Sequence, residues 1–155
     1  MDLSRAKVCI PTSSGGHLTH MRMLMPVLSQ AADRFWVTFD NEDANTALAG
    51  ERVYHCHFPT NRNPKNTVLN TLLAVRVLLR ERPDLIVSSG AAVAVPFFLV
   101  GKLLGAKTVY IEVFDRVDAP TLTGRLVKPF TDLFVVQWPE MESVYPGSVD
   151  LGPVF

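Results

Sequence analysis

Lys7-Val8-Cys9-Ile10-Pro11-Thr12-Ser13-Ser14-Gly15-Gly16-His17 is the stretch that decides the fold. Lys7–Pro11 is short and apolar and runs into turn residues, so it reads as a buried strand. Residues 16–30 then carry Leu18, Met21, Met25 and Leu28 at helical spacing. The same alternation recurs down the chain. Further strands are expected at residues 35–39 (FWVTF), 53–57 (VYHCH), 85–88 (LIVS), 108–113 (TVYIEV) and 133–137 (LFVVQ), with a short one at 149–151. Helices are expected at residues 64–82, 92–104 and 121–128. Pro64 suits a first helical turn, and Val68, Leu72, Val75 and Leu79 share one face of that helix. Residues 92–104 are apolar nearly all round, so they are expected to be buried or to face lipid or a partner. Strand–helix alternation implies an α/β fold: a Rossmann-like parallel sheet with helices on both faces.

The 155 residues fit one domain, 1–155, at roughly 100–200 residues per domain. A hydrophobic fraction of 48% against 19% charged excludes intrinsic disorder. Lys plus Arg and Asp plus Glu are 15 each, so no whole-molecule basic field exists for nucleic acid. Two cysteines, Cys9 and Cys56, lie in strand-like runs and are expected to be buried thiols in a reducing compartment. The opening residues lack a signal-peptide core, and the longest apolar run, residues 91–100, is shorter than the about 20 residues that a spanning helix needs.

Ligands of open parallel sheets bind at the carboxyl ends of the strands, so the loops after the strands carry the chemistry. Pro11-Thr12-Ser13-Ser14-Gly15-Gly16-His17 leads into a helix whose free N–H groups and partial positive charge suit a phosphate. Ser13 and Ser14 can cap that helix or meet a phosphate oxygen. The loop has neither the Gly-Lys-Ser/Thr of a P-loop nor the dinucleotide glycine pattern, and it also reads as a plain capped glycine turn. His17, at the helix start, suits a general base toward a sugar hydroxyl or a donor to phosphate. Ser88-Ser89-Gly90-Ala91-Ala92 reads either as a second anion cradle or as tight strand–helix packing. Glu112 is a carboxylate among apolar strand residues, with Asp115, Arg116 and Asp118 close behind. Phe58-Pro59-Thr60-Asn61-Arg62-Asn63-Pro64-Lys65 reads first as a solvated turn that caps a helix, and second as an Arg and Lys pair for a diphosphate or headgroup. Met21, Met23 and Met25 with Val95, Phe97, Phe98 and Leu99, edged by Lys102, Arg76 and Arg80, read as a membrane or partner patch, and the phenylalanines read first as ordinary core.

Five segments together resemble the PssD/CpsF family of capsule and exopolysaccharide biosynthesis proteins. They are Ser13 to Thr19 (SSGGHLT), Phe35 to Asp40 (FWVTFD), Pro59 to Asn63 (PTNRN), Ser88 to Pro96 (SSGAAVAVP) and Tyr110 to Arg116 (YIEVFDR). The chain is also similar to the acceptor-side subunit of the eukaryotic two-subunit N-acetylglucosaminyltransferase that builds dolichol-linked chitobiose. The resemblance implies the N-terminal, acceptor-binding half of a split GT-B glycosyltransferase like MurG. A separate PssE- or CpsG-like subunit would supply the donor-binding half and hold most of the UDP-sugar. The implied reaction moves a sugar onto an undecaprenyl-diphosphate-linked sugar acceptor, without metal or other cofactor. The implied place is the cytoplasmic face of the inner (plasma) membrane, with peripheral contact. The eukaryotic subunit has an N-terminal anchor that is not read here, so attachment is expected through a surface patch, the lipid substrate or the partner. Carried onto this sequence, His17 is the expected catalytic residue, with Glu112 positioning a sugar hydroxyl or serving as the base in its stead. Ser14, Gly15, Gly16, Ser89, Gly90, Asn61, Arg62 and Arg116 are the expected diphosphate and substrate contacts. A non-catalytic subunit that docks onto and activates a catalytic partner is the alternative.

Overall fold

A computed structural model describes residues 2–60 and 63–154. It contains one parallel sheet of seven strands: β1 (Lys7–Pro11), β2 (Asp33–Phe39), β3 (Val53–Cys56), β4 (Leu85–Ser88), β5 (Lys107–Ile111), β6 (Leu133–Val136) and β7 (Val149–Asp150). Their order across the sheet is β3-β2-β1-β4-β5-β6-β7. The chain winds outward from β1 to one edge, crosses back to β4 and winds to the other. β1 and β4 are neighbours, with Val8 beside Leu85 and Cys9 beside Ile86. Strand order therefore reverses between them, which opens a crevice at their carboxyl ends.

Side chains alternate across the strands and build two cores. On one face Cys9, Phe35, Val37, Ile86 and Tyr110 pack under α4 (Pro64–Glu81), α5 (Ala94–Leu103) and α6 (Leu122–Val127). On the other, Val8, Ile10, Trp36, Val87 and Ile111 pack with α1 (Gly16–Met23), α2 (Met25–Leu28) and α3 (Glu42–Ala47). Helices on both faces of a parallel sheet are the architecture expected from the sequence. Cys9 and Cys56 are both free and buried, as expected, and burial pushes the Cys56 thiol up to about 12.

The departures have physical causes. The helix expected over residues 16–30 breaks at Leu24, because Pro26 has no N–H to donate to the preceding turn. β2 starts at Asp33 rather than Phe35; its charged first residues are stabilised by ion pairs of Asp33 with Arg52 and of Arg34 with Glu51. α3 and α7 (Glu140–Val144) are short and carry too few apolar residues to show a period; Asn41 Oδ1 fixes the start of α3 by accepting from the Ala44 N–H at 2.9 Å.

The four residues read on one face of α4 do share a face, and it is the outer one. Val68, Leu72, Val75 and Leu79 point outward, and the helix buries Asn70, Ala74, Val77, Leu78 and Glu81. The inward polar residues are satisfied. The Asn70 amide brackets His57, accepting from its N–H at 2.7 Å and donating to its carbonyl at 3.0 Å. Glu81 accepts from Lys7 and Tyr54. The expected patch of methionines and phenylalanines does not form. Met21, Phe97 and Phe98 are buried, Met21 lies across the sheet from α5, and Lys102 is paired with Asp132. Among the described residues no helix is long and apolar enough to cross a membrane.

Candidate functional site

The crevice at the β1/β4 switch point is lined by Ser13, Ser14, His17, Phe39, Phe58, Thr60, Ala91, Ala92, Val95, Tyr110, Thr121 and Leu122, and encloses about 490 Å³. A smaller recess of about 280 Å³ adjoins it at His17 and is bounded by Gly16, His20, Asp115 and Arg116.

One wall is the glycine turn. Gly15 holds φ +79°, a conformation that disfavours a Cβ, and precedes the first residue of α1. Side chains cap α3, α4 and α6 through Asn41, Asn63 and Thr121. None caps α1 among the described residues, so its first turn keeps N–H groups free of a side-chain cap, and the positive end of the helix dipole lies at the smaller recess, which Gly16 bounds. Gly15 and Gly16 are exposed, and an added Cβ would meet nothing within 4 Å at either. Ser14 Oγ accepts from the Asn41 side chain at 2.8 Å, which ties the loop to the start of α3.

His17 lies on the second small-residue loop. Gly90 has φ +130°, and a Cβ there would fall 2.8 Å from His17 Cε1 and 3.1 Å from the Tyr110 hydroxyl. Glycine at 90 is thus required by both backbone and space. Ser88 Oγ donates to the Pro11 carbonyl at 2.6 Å and accepts from the Gly90 N–H at 3.1 Å, joining the ends of β1 and β4. Ser89 Oγ donates to the His17 carbonyl at 3.4 Å. Ser89 and Gly90 are buried, so they form the floor beneath His17, and Ala91 and Ala92 carry that loop into the open crevice. His17 Nδ1 is buried without a hydrogen-bond partner among the described residues. Burial pushes the His17 imidazole below the ordinary histidine range, and His20 adds to this; the Ser89 main chain, Asp115 and Glu112 oppose it. The imidazole is neutral at pH 7 and can accept a proton.

In place of the expected contact with a sugar hydroxyl, Glu112 is turned into the protein and is 1% exposed. Its carboxylate accepts from the Val113 N–H at 3.0 Å, Thr121 Oγ1 at 3.0 Å and the Tyr145 hydroxyl at 2.5 Å. Thr121 Oγ1 also accepts from the Gly124 N–H and so caps α6. Gln137 Nε2 donates to the Glu112 carbonyl at 2.8 Å. Glu112 therefore ties β5, α6 and α7's following turn together from behind the crevice wall. Arg116 is exposed at the rim of the smaller recess. Asn61 and Arg62 lie outside the described residues.

Several lining residues had no site role read from the sequence, although three of them lie in the quoted segments: Phe39, Phe58, Tyr110, Thr121, Leu122 and Leu126. Phe39 ends β2, Phe58 follows β3 and Tyr110 lies near the end of β5, so position at the carboxyl ends of the strands is the signal that marks them. Phe58 is 71% exposed and meets Phe39 edge to face, with centroids 5.0 Å apart. The crevice and its adjoining recess thus combine an uncapped helix start, a neutral imidazole and an apolar wall.

This sheet with its switch-point crevice is a Rossmann-like fold. It matches MurG from Acinetobacter baumannii with a TM-score of 0.73 at 18% identity, over 87% of this chain and 42% of that one. It matches UDP-N-acetylglucosamine 2-epimerase from Rickettsia bellii with a TM-score of 0.74 at 12% identity, over 94% and 43%. The chain therefore spans less than half the length of these proteins. Residues 8–154 match the family described as "Oligosaccharide biosynthesis protein Alg14 like", and the chain belongs to that family. Among its relatives are proteins named UDP-N-acetylglucosamine transferase subunit ALG14. The mouse protein is 27% identical over 96% of this chain and 82% of its own length, and the human protein 29% over 95% and 82%. The Candida albicans protein is 28% identical over 92% and 74%.

Proposed function

We propose that this chain is the acceptor-binding subunit of a two-subunit glycosyltransferase, the N-terminal half of a split GT-B enzyme. A partner subunit of the PssE/CpsG kind holds the UDP-sugar. The acceptor is a sugar on a polyprenyl diphosphate, undecaprenyl in the capsule and exopolysaccharide setting of PssD/CpsF proteins, and the site lies at the cytoplasmic membrane face. UDP-N-acetylglucosamine, the donor in the relatives' name, is the first donor to test.

The observation that carries this reading is the composition of the crevice. A lipid-linked diphosphate sugar has an anionic diphosphate, a sugar hydroxyl and an apolar tail. The uncapped start of α1 at Gly15 and Gly16 suits the diphosphate, with Ser14 and the rim cation Arg116 beside it. His17 takes the proton from the acceptor hydroxyl as that oxygen forms its bond to the donor sugar's anomeric carbon and the bond to UDP breaks. UDP leaves as the anion, and helix N-termini and arginine stabilise its charge, so no metal or cofactor is required. Phe39, Phe58, Val95 and Leu126 suit the first units of the lipid. Glu112 is a positioning residue that fixes Thr121 in the wall.

The test is transfer of radiolabel from UDP-sugars to a lipid-linked acceptor with this chain, its partner subunit, or both. Transfer that needs both subunits, and is lost with His17→Ala in an intact complex, is expected. Intact transfer with His17→Ala would support a docking and activating subunit instead, and full transfer by the partner alone would overturn the proposal.

A further inference from the structure

α4 presents an apolar line to the outside that nothing among the described residues covers. Val68, Leu72, Val75 and Leu79, spaced four, three and four residues apart, are 60%, 62%, 38% and 52% exposed. The line runs about 16 Å along the helix at 1.5 Å per residue. It continues onto the end of α5, where Leu103 is 77% exposed and Leu104 faces Leu79 across a groove of about 630 Å³.

The exposed charges on α4 and at its C-cap have one sign. Lys65, Arg76, Arg80 and Arg82 are exposed, and none has an ion pair among the described residues. The one acid of α4, Glu81, is turned inward onto Lys7 and Tyr54. Asp84, at the groove, accepts from the Lys7 main chain. Lys107 shares Asp132 with Lys102, so these two add little. An apolar line with flanking cations on a molecule of zero net charge fits the boundary of an anionic bilayer: leucines and valines enter the acyl region while arginines reach phosphate headgroups.

Placement agrees. α4 starts at the carboxyl edge of the sheet, directly after Phe58 and Thr60 of the crevice, and Asn66 Nδ2 donates to the Pro59 carbonyl at 2.8 Å.

We infer that the outer face of α4, with Leu103 and Leu104, docks this subunit onto an anionic lipid surface. This rests on the membrane-facing reading above and assigns it a surface. The test is sedimentation of the full chain, without partner or substrate, with vesicles of phosphatidylcholine containing roughly one-third phosphatidylglycerol, and with phosphatidylcholine alone. Binding to the anionic vesicles is expected, weaker on neutral ones and at high salt. Leu72→Glu with Leu79→Glu, and separately Arg76→Glu with Arg80→Glu, are expected to lower it by about tenfold or more. Leu72→Gln with Leu79→Gln, checked for an unchanged thermal transition, separates lost docking from lost folding. Absence of binding by the wild type, wild-type binding by all variants, or variants that lose partner association and keep vesicle binding would overturn the inference. Transfer to a water-soluble short-chain acceptor is expected to survive the α4 changes. Its absence in the wild type, with vesicle binding intact, would refute the transferase reading and leave the docking surface standing.

Discussion

His17 concentrates the residue-scale chemistry, and its environment makes its role measurable. Burial lowers its pKa below the unfolded value of about 6.5. NMR titration of the ring is expected to show this depression. As pH falls from 6.5 toward the lower folded value, the unfolded chain binds a proton that the folded chain does not. Stability therefore drops across that window and levels off below it, and His17→Ala removes that part of the pH dependence in urea denaturation at pH 7.5 and 5.5. In transfer assays His17→Ala is expected to cost about 10²-fold or more, as loss of a general base does. Gly90→Ala is expected to lower transfer as well, because its Cβ would displace the imidazole. An unshifted His17 titration with wild-type transfer in both variants would remove the histidine from the mechanism. The glycine turn and His17 were legible in the sequence because a strand–glycine–helix junction states its own geometry. The floor role of Ser89 and Gly90 was not, since the same residues serve an anion cradle and tight packing.

At the element scale, the buried hub at Glu112 and the exposed face of α4 share a lesson. Hydrophobic period located each strand, and the strand bounds agree to within two residues. It placed Val68, Leu72, Val75 and Leu79 on one face of α4 without showing that this is the outer face, because Asn70 and Glu81 point inward on specific partners while these residues point out. It also set Glu112 at a strand end without showing that Tyr145, 33 residues on, closes over its carboxylate. Such partnerships are tertiary and leave no local period. They predict that Glu112→Gln destabilises by about 1–3 kcal/mol in denaturant melts, since one acceptor oxygen becomes a donor facing Tyr145 and Thr121. Gly124→Ala is expected to cost a similar amount, because its Cβ would sit 2.5 Å from Glu112 Oε2. A stability loss in Glu112→Gln with proportionate activity at temperatures where it stays folded fits a positioning residue; lost transfer with wild-type stability would restore the carboxylate to the chemistry.

The whole molecule has two working directions. The carboxyl edge of the sheet carries the crevice, and the α4 side carries the apolar and basic face. In the proposed enzyme the donor half meets the carboxyl edge, since sugar must pass from one subunit to the other across His17. The loop between β5 and α6 stands at that edge. Trp138 Nε1 donates to the Phe114 carbonyl at 2.7 Å and the two rings pack 5.1 Å apart, so the loop is anchored there as well as at its ends through Glu112 and Thr121, while Val117 stays 44% exposed. Val117→Glu adds a charge to an exposed position and leaves the cores untouched, so the thermal transition is expected to stay within a few degrees of wild type. At a subunit interface the same charge is desolvated, and association with the donor subunit is expected to weaken by about tenfold or more in titration calorimetry. Vesicle binding through α4 is expected to be unchanged, because Val117 belongs to the other direction. Weakened vesicle binding with wild-type subunit association would reverse the assignment of the two faces.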